Sequence, residues 1–148
     1  MKKYIYLTLT IAWMAVIYMF SAQTSEVSGA ESVFLTEKIL RLFIDNPSEM
    51  LLDVTETVFR KLCHFGEYGV LAAFWYITLK SFGLSSKKLW LTVCICAFYS
   101  ITDEVHQFFV PGRACRVYDI VIDTLGSTVG YFLCRFVDKI RMKKFTNR

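Results

Sequence analysis

Long apolar segments alternate with short charged ones along most of this sequence. Apolar residues dominate from about 4 to 20, 62 to 79, 89 to 110 and 117 to 137. Each segment is close to the ~20 residues that an α-helix needs to cross the hydrocarbon core of a bilayer. The pattern predicts an all-α integral membrane protein, with about four transmembrane helices in a single domain that covers residues 1–148.

The first apolar segment has two interpretations. Lysines followed by an apolar run are typical of a cleaved signal peptide as well as of a transmembrane helix. The run from Tyr4 to Phe20 is longer than the apolar part of most signal peptides, and Ser21 to Gln23 make a poor cleavage site. We therefore expect an uncleaved first span.

Residues 24–60 form the largest polar region between the segments. Ser28 and Glu31 have the spacing of a capping box, and Asn46 followed by Pro47 resembles a second helix start, with Glu49 in its first turn. Apolar residues recur at helical spacing after each start. We expect two amphipathic helices lying in the membrane interface, and a lid over a site is the alternative.

Lysine and arginine predict the orientation of the segments. They cluster at Lys2 and Lys3, at Lys80, Lys87 and Lys88, and from Arg135 onwards, all on one side of a four-span protein. The positive-inside rule makes that side cytoplasmic, with both termini inside and residues 24–60 outside. Arg113 and Arg116 lie on the outer side against the rule, which suggests that they have a local task.

Composition agrees with a membrane protein, because 55% of the residues are hydrophobic and 16% are aromatic. The net charge of +4 does not indicate a nucleic-acid partner, since the basic residues flank apolar segments and form no aromatic-interleaved patch. The five cysteines form no evident framework. A disulfide between Cys63 and Cys115 is one alternative, because both lie on the predicted outer side.

Ionisable and polar side chains occupy the outer end of each later segment. They are Lys61, His64 and Glu67 in the second, Asp103, Glu104, His106 and Gln107 in the third, and Asp119 and Asp123 in the fourth. An ionisable side chain inside a membrane helix costs roughly 2.5–3.5 kcal/mol on insertion scales. We expect these groups to meet at one depth, near Ser21 and Gln23 and below the turn that carries Arg113. Simple pairing between helices is the alternative, and Gly126 with Gly130 predicts close helix packing.

These residues suggest specific chemical roles. The candidate catalytic residues, acting as general acids or bases, are His64, Glu67, Asp103 and Glu104. The candidate substrate-binding residues are Ser21, Gln23, Lys61, Gln107 and Arg113, of which the two cations suit phosphate or carboxylate. A divalent cation could be held by Asp103, Asp119 and Asp123. No nucleophile is assigned from the sequence.

The order of these motifs resembles the VanZ-like family over about residues 10–135. The matching pieces are Phe20-Ser21-x-Gln23, Lys61-x-x-His64-Phe65-x-Glu67-Tyr68, Asp103-Glu104-x-x-Gln107-x-Phe109-x-Pro111-x-Arg113 and Asp119-x-x-x-Asp123-x-x-Gly126. Asp123 stands where the family commonly has asparagine. The resemblance implies a multi-pass protein of the bacterial cytoplasmic membrane in Gram-positive cells, which gives low-level resistance to the glycopeptide teicoplanin. It implies no accepted reaction.

Three classes of function therefore stay open. The first is a hydrolase or transferase that acts on a lipid- or cell-wall-linked substrate at the outer leaflet. The second is a non-catalytic protein that binds a membrane lipid headgroup or peptidoglycan precursor and occludes it from the antibiotic. A transporter fits less well, because the segments show no inverted repeat or broken helix.

Overall fold

The fold is all-α, as predicted. A computed structural model describes residues 1–146, and side chains as far as residue 143, so the last two residues of the expected domain lie outside the described part. The described chain contains five helices and no strand: α1 (Lys2–Ser21), α2 (Ser25–Leu40), α3 (Glu49–Ser81), α4 (Leu91–Phe108) and α5 (Val117–Thr146).

Two of the described helices are long and apolar enough to cross a membrane. They are Lys2–Ser21 and Val117–Lys143, with mean hydropathy 1.6 and 1.4. Only 17% and 22% of their most apolar stretches are buried within the fold, so most of this apolar surface faces outwards. α3 and α4 do not meet the same criterion, because polar and charged residues interrupt their apolar runs. The helices thus suit membrane association, with apolar surface turned to the surroundings.

Both predicted helix starts in residues 24–60 were wrong by a few positions. Thr24 caps α2 by accepting a hydrogen bond from the Val27 amide at 3.4 Å, which places Ser28 inside the helix. Ser48, in an extended conformation, caps α3 by accepting from the Leu51 amide at 3.3 Å. A hydroxyl three residues before an open backbone N–H satisfies that donor at each start.

The second amphipathic helix and the second predicted span are one continuous helix. α3 runs unbroken for 33 residues, which is roughly 50 Å at 1.5 Å per residue. No proline or glycine separates Glu49 from Lys61, so nothing in the sequence ends the helix between the two parts. The division expected at about residue 60 was therefore wrong.

α2 turns its apolar residues away from the protein. Its buried residues are Ser32 and Thr36, and the Ser32 hydroxyl donates to the Glu56 carboxylate of α3 at 2.5 Å. Apolar side chains on the other faces are exposed, with Phe34 at 65%. A helix on a water-soluble domain buries its apolar stripe instead. The apolar residues of this segment are exposed, but Glu26, Glu31 and Lys38 are exposed among them, so α2 is less amphipathic than predicted.

The core lies where α1, α3 and α4 meet. Tyr68, Leu71 and Ala72 of α3 are fully buried and pack with Ile17 of α1 and Cys96 of α4. All five cysteines are free, so the alternative of a disulfide between Cys63 and Cys115 is not found.

α3 and α5 approach each other backbone to backbone. A Cβ built on Gly126 would lie 2.2 Å from the carbonyl oxygen of Phe65, and one built on Gly130 would lie 2.2 Å from that of Gly69. No side chain fits at either position. The close packing predicted from the glycine spacing is confirmed.

Replacing Gly126 with alanine should destabilise the protein, because the new methyl group overlaps the Phe65 carbonyl oxygen. The two helices must shift to relieve the overlap, at a cost of about 1–3 kcal/mol. Thermal unfolding of the detergent-purified protein measures the effect.

Gly66→Ala is the matched control, because nothing lies within 4 Å of a Cβ at that position of α3. Alanine favours a helix over glycine by about 1 kcal/mol, so this variant should unfold at or above the wild-type temperature. Equal unfolding temperatures for Gly126→Ala and the wild type would contradict the close contact.

Candidate functional site

Most of the residues singled out in the sequence converge on one cavity of about 230 Å³. We call it the acidic cavity, after the carboxylates of Glu31, Glu67 and Asp103 in its wall. The end of α1, one side of α2, the middle of α3 and the end of α4 surround it. The predicted site residues that line it are Ser21, Gln23, His64, Glu67, Asp103, Gln107 and Arg113.

A buried aspartate stands behind the histidine of this cavity. His64 Nδ1 lies 3.6 Å from Asp123 Oδ1, and the Asp123 side chain is fully buried. The Ser100 hydroxyl donates to Asp123 Oδ2 at 2.6 Å. Asp123 does not line the cavity. Its position, with Ser100 fixing one of its oxygens, suits orienting the imidazole of His64 towards the cavity.

Three oxygen-bearing groups of the acidic cavity keep open hydrogen-bonding capacity. Asp103 Oδ2 accepts from Gln107 Nε2 at 3.3 Å. Asp103 Oδ1 and the Ser21 hydroxyl are buried without a hydrogen bond of good geometry, although the two side chains interact with each other. The Glu67 side chain makes no hydrogen bond or ion pair with any described residue. Leaving a buried polar group unpaired costs about 1–3 kcal/mol. Such groups in a cavity point to a ligand that pairs with them.

A second cavity of about 120 Å³ adjoins the first. We call it the basic cavity, because Arg60, Lys61, Arg113 and Arg116 line it. Lys61 Nζ pairs with Asp119 Oδ1 at 2.8 Å and lies 4.0 Å from the centre of the Tyr118 ring. The two cavities share the side chains of Arg60, His64, Gln107 and Arg113.

Arg113 fastens the turn after α4 to the end of α1. Its Nε donates to the Gln23 carbonyl oxygen at 3.2 Å and its Nη2 donates to that of Phe20 at 3.3 Å. The positive charge of Arg113 also interacts favourably with the negative C-terminal end of the α1 dipole. Partial burial, reinforced by the charge of Arg60, lowers the pKa of the Arg113 guanidinium, which stays charged because arginine does not deprotonate in proteins. Arg113 thus has the local task that the sequence suggested.

The same turn also holds the start of α2. The Ser25 amide donates to the Pro111 carbonyl oxygen at 3.3 Å. Gly112 has φ of 75°, and a Cβ there would lie 2.9 Å from Ser25 Cβ. Glycine is required for both reasons. The turn therefore joins α2 to the end of α4 at the rim of both cavities.

Glu104 and His106 of α4 lie outside both cavities. Glu104 is fully buried, and its Oε2 accepts a hydrogen bond from the Arg116 backbone N–H at 2.7 Å, just before α5 begins. The ring of His106 lies against that of Tyr18, with 4.5 Å between centroids. The contacts of Glu104 are those of a residue that holds the turn, and its catalytic role stays a prediction.

The carboxylates expected to bind a divalent cation do not form a shared group. Among the described residues, no three or more His, Cys, Asp or Glu side chains are placed to hold a metal ion. Asp119 pairs with Lys61, Asp123 faces His64 and Ser100, and Asp103 lies in the acidic cavity. The residues do not fit such a site, and no step below involves a cation.

Arg60 is the main candidate that the sequence analysis missed. It lines both cavities, and its Nη1 lies 3.6 Å from Glu56 Oε1. The signal was present, because Arg60 precedes His64 by four residues and so shares its helix face. Assigning residues up to 60 to a separate helix hid that relation. Glu31 was named only for its helix-capping spacing and not as a site residue. Its place in the cavity wall agrees with the alternative that residues 24–60 lie over a site.

The comparisons agree with the motifs. The sequence profile of the VanZ/LLP1 family matches residues 6–138, which is most of the chain. No curated protein and no solved structure matches the chain.

Proposed function

Since this chain belongs to the VanZ/LLP1 family, we propose that it is a membrane protein that lowers the susceptibility of Gram-positive cells to teicoplanin. The family is associated with glycopeptide resistance by its name. The proposed activity is that of a hydrolase or transferase, acting on a lipid- or cell-wall-linked substrate that enters the acidic cavity from the outer leaflet.

The proposal includes four membrane spans with both termini in the cytoplasm. The spans are α1, the part of α3 from about residue 62 to 79, α4, and α5 to about residue 137. The distribution of basic residues supports this orientation. The ion pair of Lys80 with Asp138 and the bond from Arg135 to the Ser86 carbonyl then lie at the inner end, opposite the two cavities. α2 lies in the outer interface with its apolar side chains in lipid.

The unpaired carboxylates of the acidic cavity are the observation that carries the proposed chemistry. Asp103 Oδ1 is buried without a hydrogen bond, and the partly buried Glu67 side chain makes no hydrogen bond or ion pair with any described residue. Both line the cavity beside His64, whose Nδ1 lies 3.6 Å from the buried Asp123 Oδ1. Burying a carboxylate without a partner lowers the stability of the fold, so such a group is kept for a reason other than stability. Groups of this kind concentrate at catalytic sites, where they exchange protons.

These residues suit general acid–base catalysis. His64 takes a proton from an attacking water or substrate hydroxyl, and Asp123 stabilises the resulting imidazolium. Protonated Glu67 gives a proton to the leaving group, while Asp103 and Ser21 position the substrate through their open hydrogen bonds. Positioned proton transfer of this kind contributes typically 10²–10⁴-fold to a rate.

One observation favours a second candidate, non-catalytic binding that occludes the wall precursor or lipid headgroup. Among the described residues, no hydroxyl or thiol donates a hydrogen bond to His64, the arrangement that activates a serine or cysteine nucleophile. In this alternative, the open groups of the cavity hold a headgroup without changing it.

Glu67→Gln and Asp103→Asn should each abolish protection against teicoplanin. Both changes keep the size of the side chain. Glu67→Gln removes the proton donor, so turnover should fall by at least about a hundredfold. Asp103→Asn replaces an accepting oxygen with an N–H group, so the substrate should no longer be held in position. The minimal inhibitory concentration of teicoplanin measures the effect in cells with equal amounts of each variant in the membrane.

Glu26→Gln and Asp45→Asn are the matched controls, because they make the same changes at exposed carboxylates of the outer segment. Both should protect like the wild type. Full protection by both Glu67→Gln and Asp103→Asn would overturn the catalytic proposal. Loss of protection in only one of them would favour occlusion.

The proposed orientation is tested by labelling single cysteines in a variant whose native cysteines are replaced by serine or alanine. A cysteine at position 45 should react with a membrane-impermeant maleimide in intact cells, because that residue lies outside. A cysteine at position 87 should react only after the cells are permeabilised. Reaction of position 87 in intact cells would contradict the four-span orientation.

A further inference from the structure

The two adjoining cavities differ in their charged side chains. The basic cavity has four cationic side chains against the two carboxylates of Glu56 and Asp119. Both carboxylates are already engaged: Asp119 pairs with Lys61, and Glu56 accepts from Ser32 and lies 3.6 Å from Arg60. The acidic cavity, in contrast, has three carboxylates against Arg60 and Arg113. An anion entering this region is attracted to the basic cavity, where cationic side chains outnumber carboxylates.

The side chains of the basic cavity leave positive charge available to a ligand. The Arg60 side chain is 35% exposed and pairs with Glu56 at 3.6 Å without a hydrogen bond, so its N–H groups stay open to a ligand. Arg116 is exposed, and its hydrogen bond to the Tyr118 hydroxyl leaves its charge uncompensated. Guanidinium groups match the oxygens of phosphate in charge and geometry.

The surroundings of the cavities are apolar. The acidic cavity is walled in part by Ile17, Phe20, Leu35 and Phe59. Exposed Phe109, at 77%, lies in the turn between α4 and the basic cavity. A cationic cavity within reach of lipid on one side and carboxylates on the other suits a molecule with an apolar tail, a phosphate and a further polar group.

We infer that the basic cavity binds the phosphate of an anionic lipid, with Arg60 and Arg116 as its main contacts. The polar group next to that phosphate then reaches the acidic cavity through the shared residues His64 and Gln107. Its hydroxyl or amine protons meet the open oxygens of Glu67 and Asp103. This inference rests on the proposed function and names the substrate class of the same site.

Native mass spectrometry of the full-length protein in detergent, titrated with phosphatidylglycerol, tests the inference. Arg60→Gln and Arg116→Gln should each bind this lipid about tenfold more weakly than the wild type, because each loses one charged hydrogen bond. Diacylglycerol, which lacks phosphate, should bind all variants equally weakly. Lys87→Gln removes the same charge at an exposed site at the other end of the helices and should bind phosphatidylglycerol like the wild type.

Glycerol 3-phosphate as a competitor distinguishes a lipid from a soluble phosphate ligand. If glycerol 3-phosphate displaces phosphatidylglycerol only at concentrations far above that of the lipid, the result supports a lipid ligand. Displacement at equal concentration overturns the lipid assignment in favour of a soluble phosphate. Unchanged phosphatidylglycerol affinity in both arginine variants overturns the phosphate site altogether. That result would leave the proposed function standing. The proposed function is tested by whether Glu67→Gln and Asp103→Asn lose protection against teicoplanin, which is measured without any lipid titration.

Discussion

The contact between the backbones of α3 and α5 is the constraint on which the rest of the structure depends. Gly126 and Gly130 lie against the carbonyl groups of Phe65 and Gly69, so the two helices come closer than any side chain would allow. One turn from this contact, His64 meets Asp123, and one turn further Lys61 meets Asp119. A wider separation would leave these side chains facing each other across a gap. The two glycines of α5 therefore set the distances between the charged side chains of α3 and those of α5.

The distribution of polarity is the reverse of that in a soluble domain. Apolar side chains face outwards on every helix, with Phe34 at 65% and Phe98 at 68% exposed, while Glu104, Asp123 and Ser127 are fully buried. In a bilayer, apolar side chains on the outer surface face lipid at no cost in free energy. The polar and ionisable groups in the interior carry a cost, because water is absent there. Part of that cost is met by pairing, as in the bond from Ser100 to Asp123. Buried polar atoms without a hydrogen bond occur in several places, among them Glu104 Oε1, Asp123 Oδ1 and Asp103 Oδ1. Asp103 differs from the other two because it lines a cavity that a ligand could enter.

The helical class and most of the polar side chains that line the acidic cavity were predictable from the sequence. Polar residues in apolar segments are conspicuous, and glycine spacing has a direct steric meaning. The errors of the sequence analysis lie where several local signals compete. Ser48 offered a better cap than Asn46, and α3 continued past residue 60 because no residue there ends a helix. The roles of Arg113 and Glu104 in holding turns, and the approach of α2 to the site, depend on long-range contacts that no periodicity encodes.

The activity proposed for the acidic cavity is a chemical change in a lipid- or wall-linked molecule. Mass-spectrometric profiling of all lipids and peptidoglycan precursors, in otherwise identical cells with and without the protein, measures that change most directly. We expect one species to appear or disappear when the protein is present, and we expect this species to carry a phosphate. Identical profiles in cells that the protein nevertheless protects from teicoplanin would contradict the proposed activity.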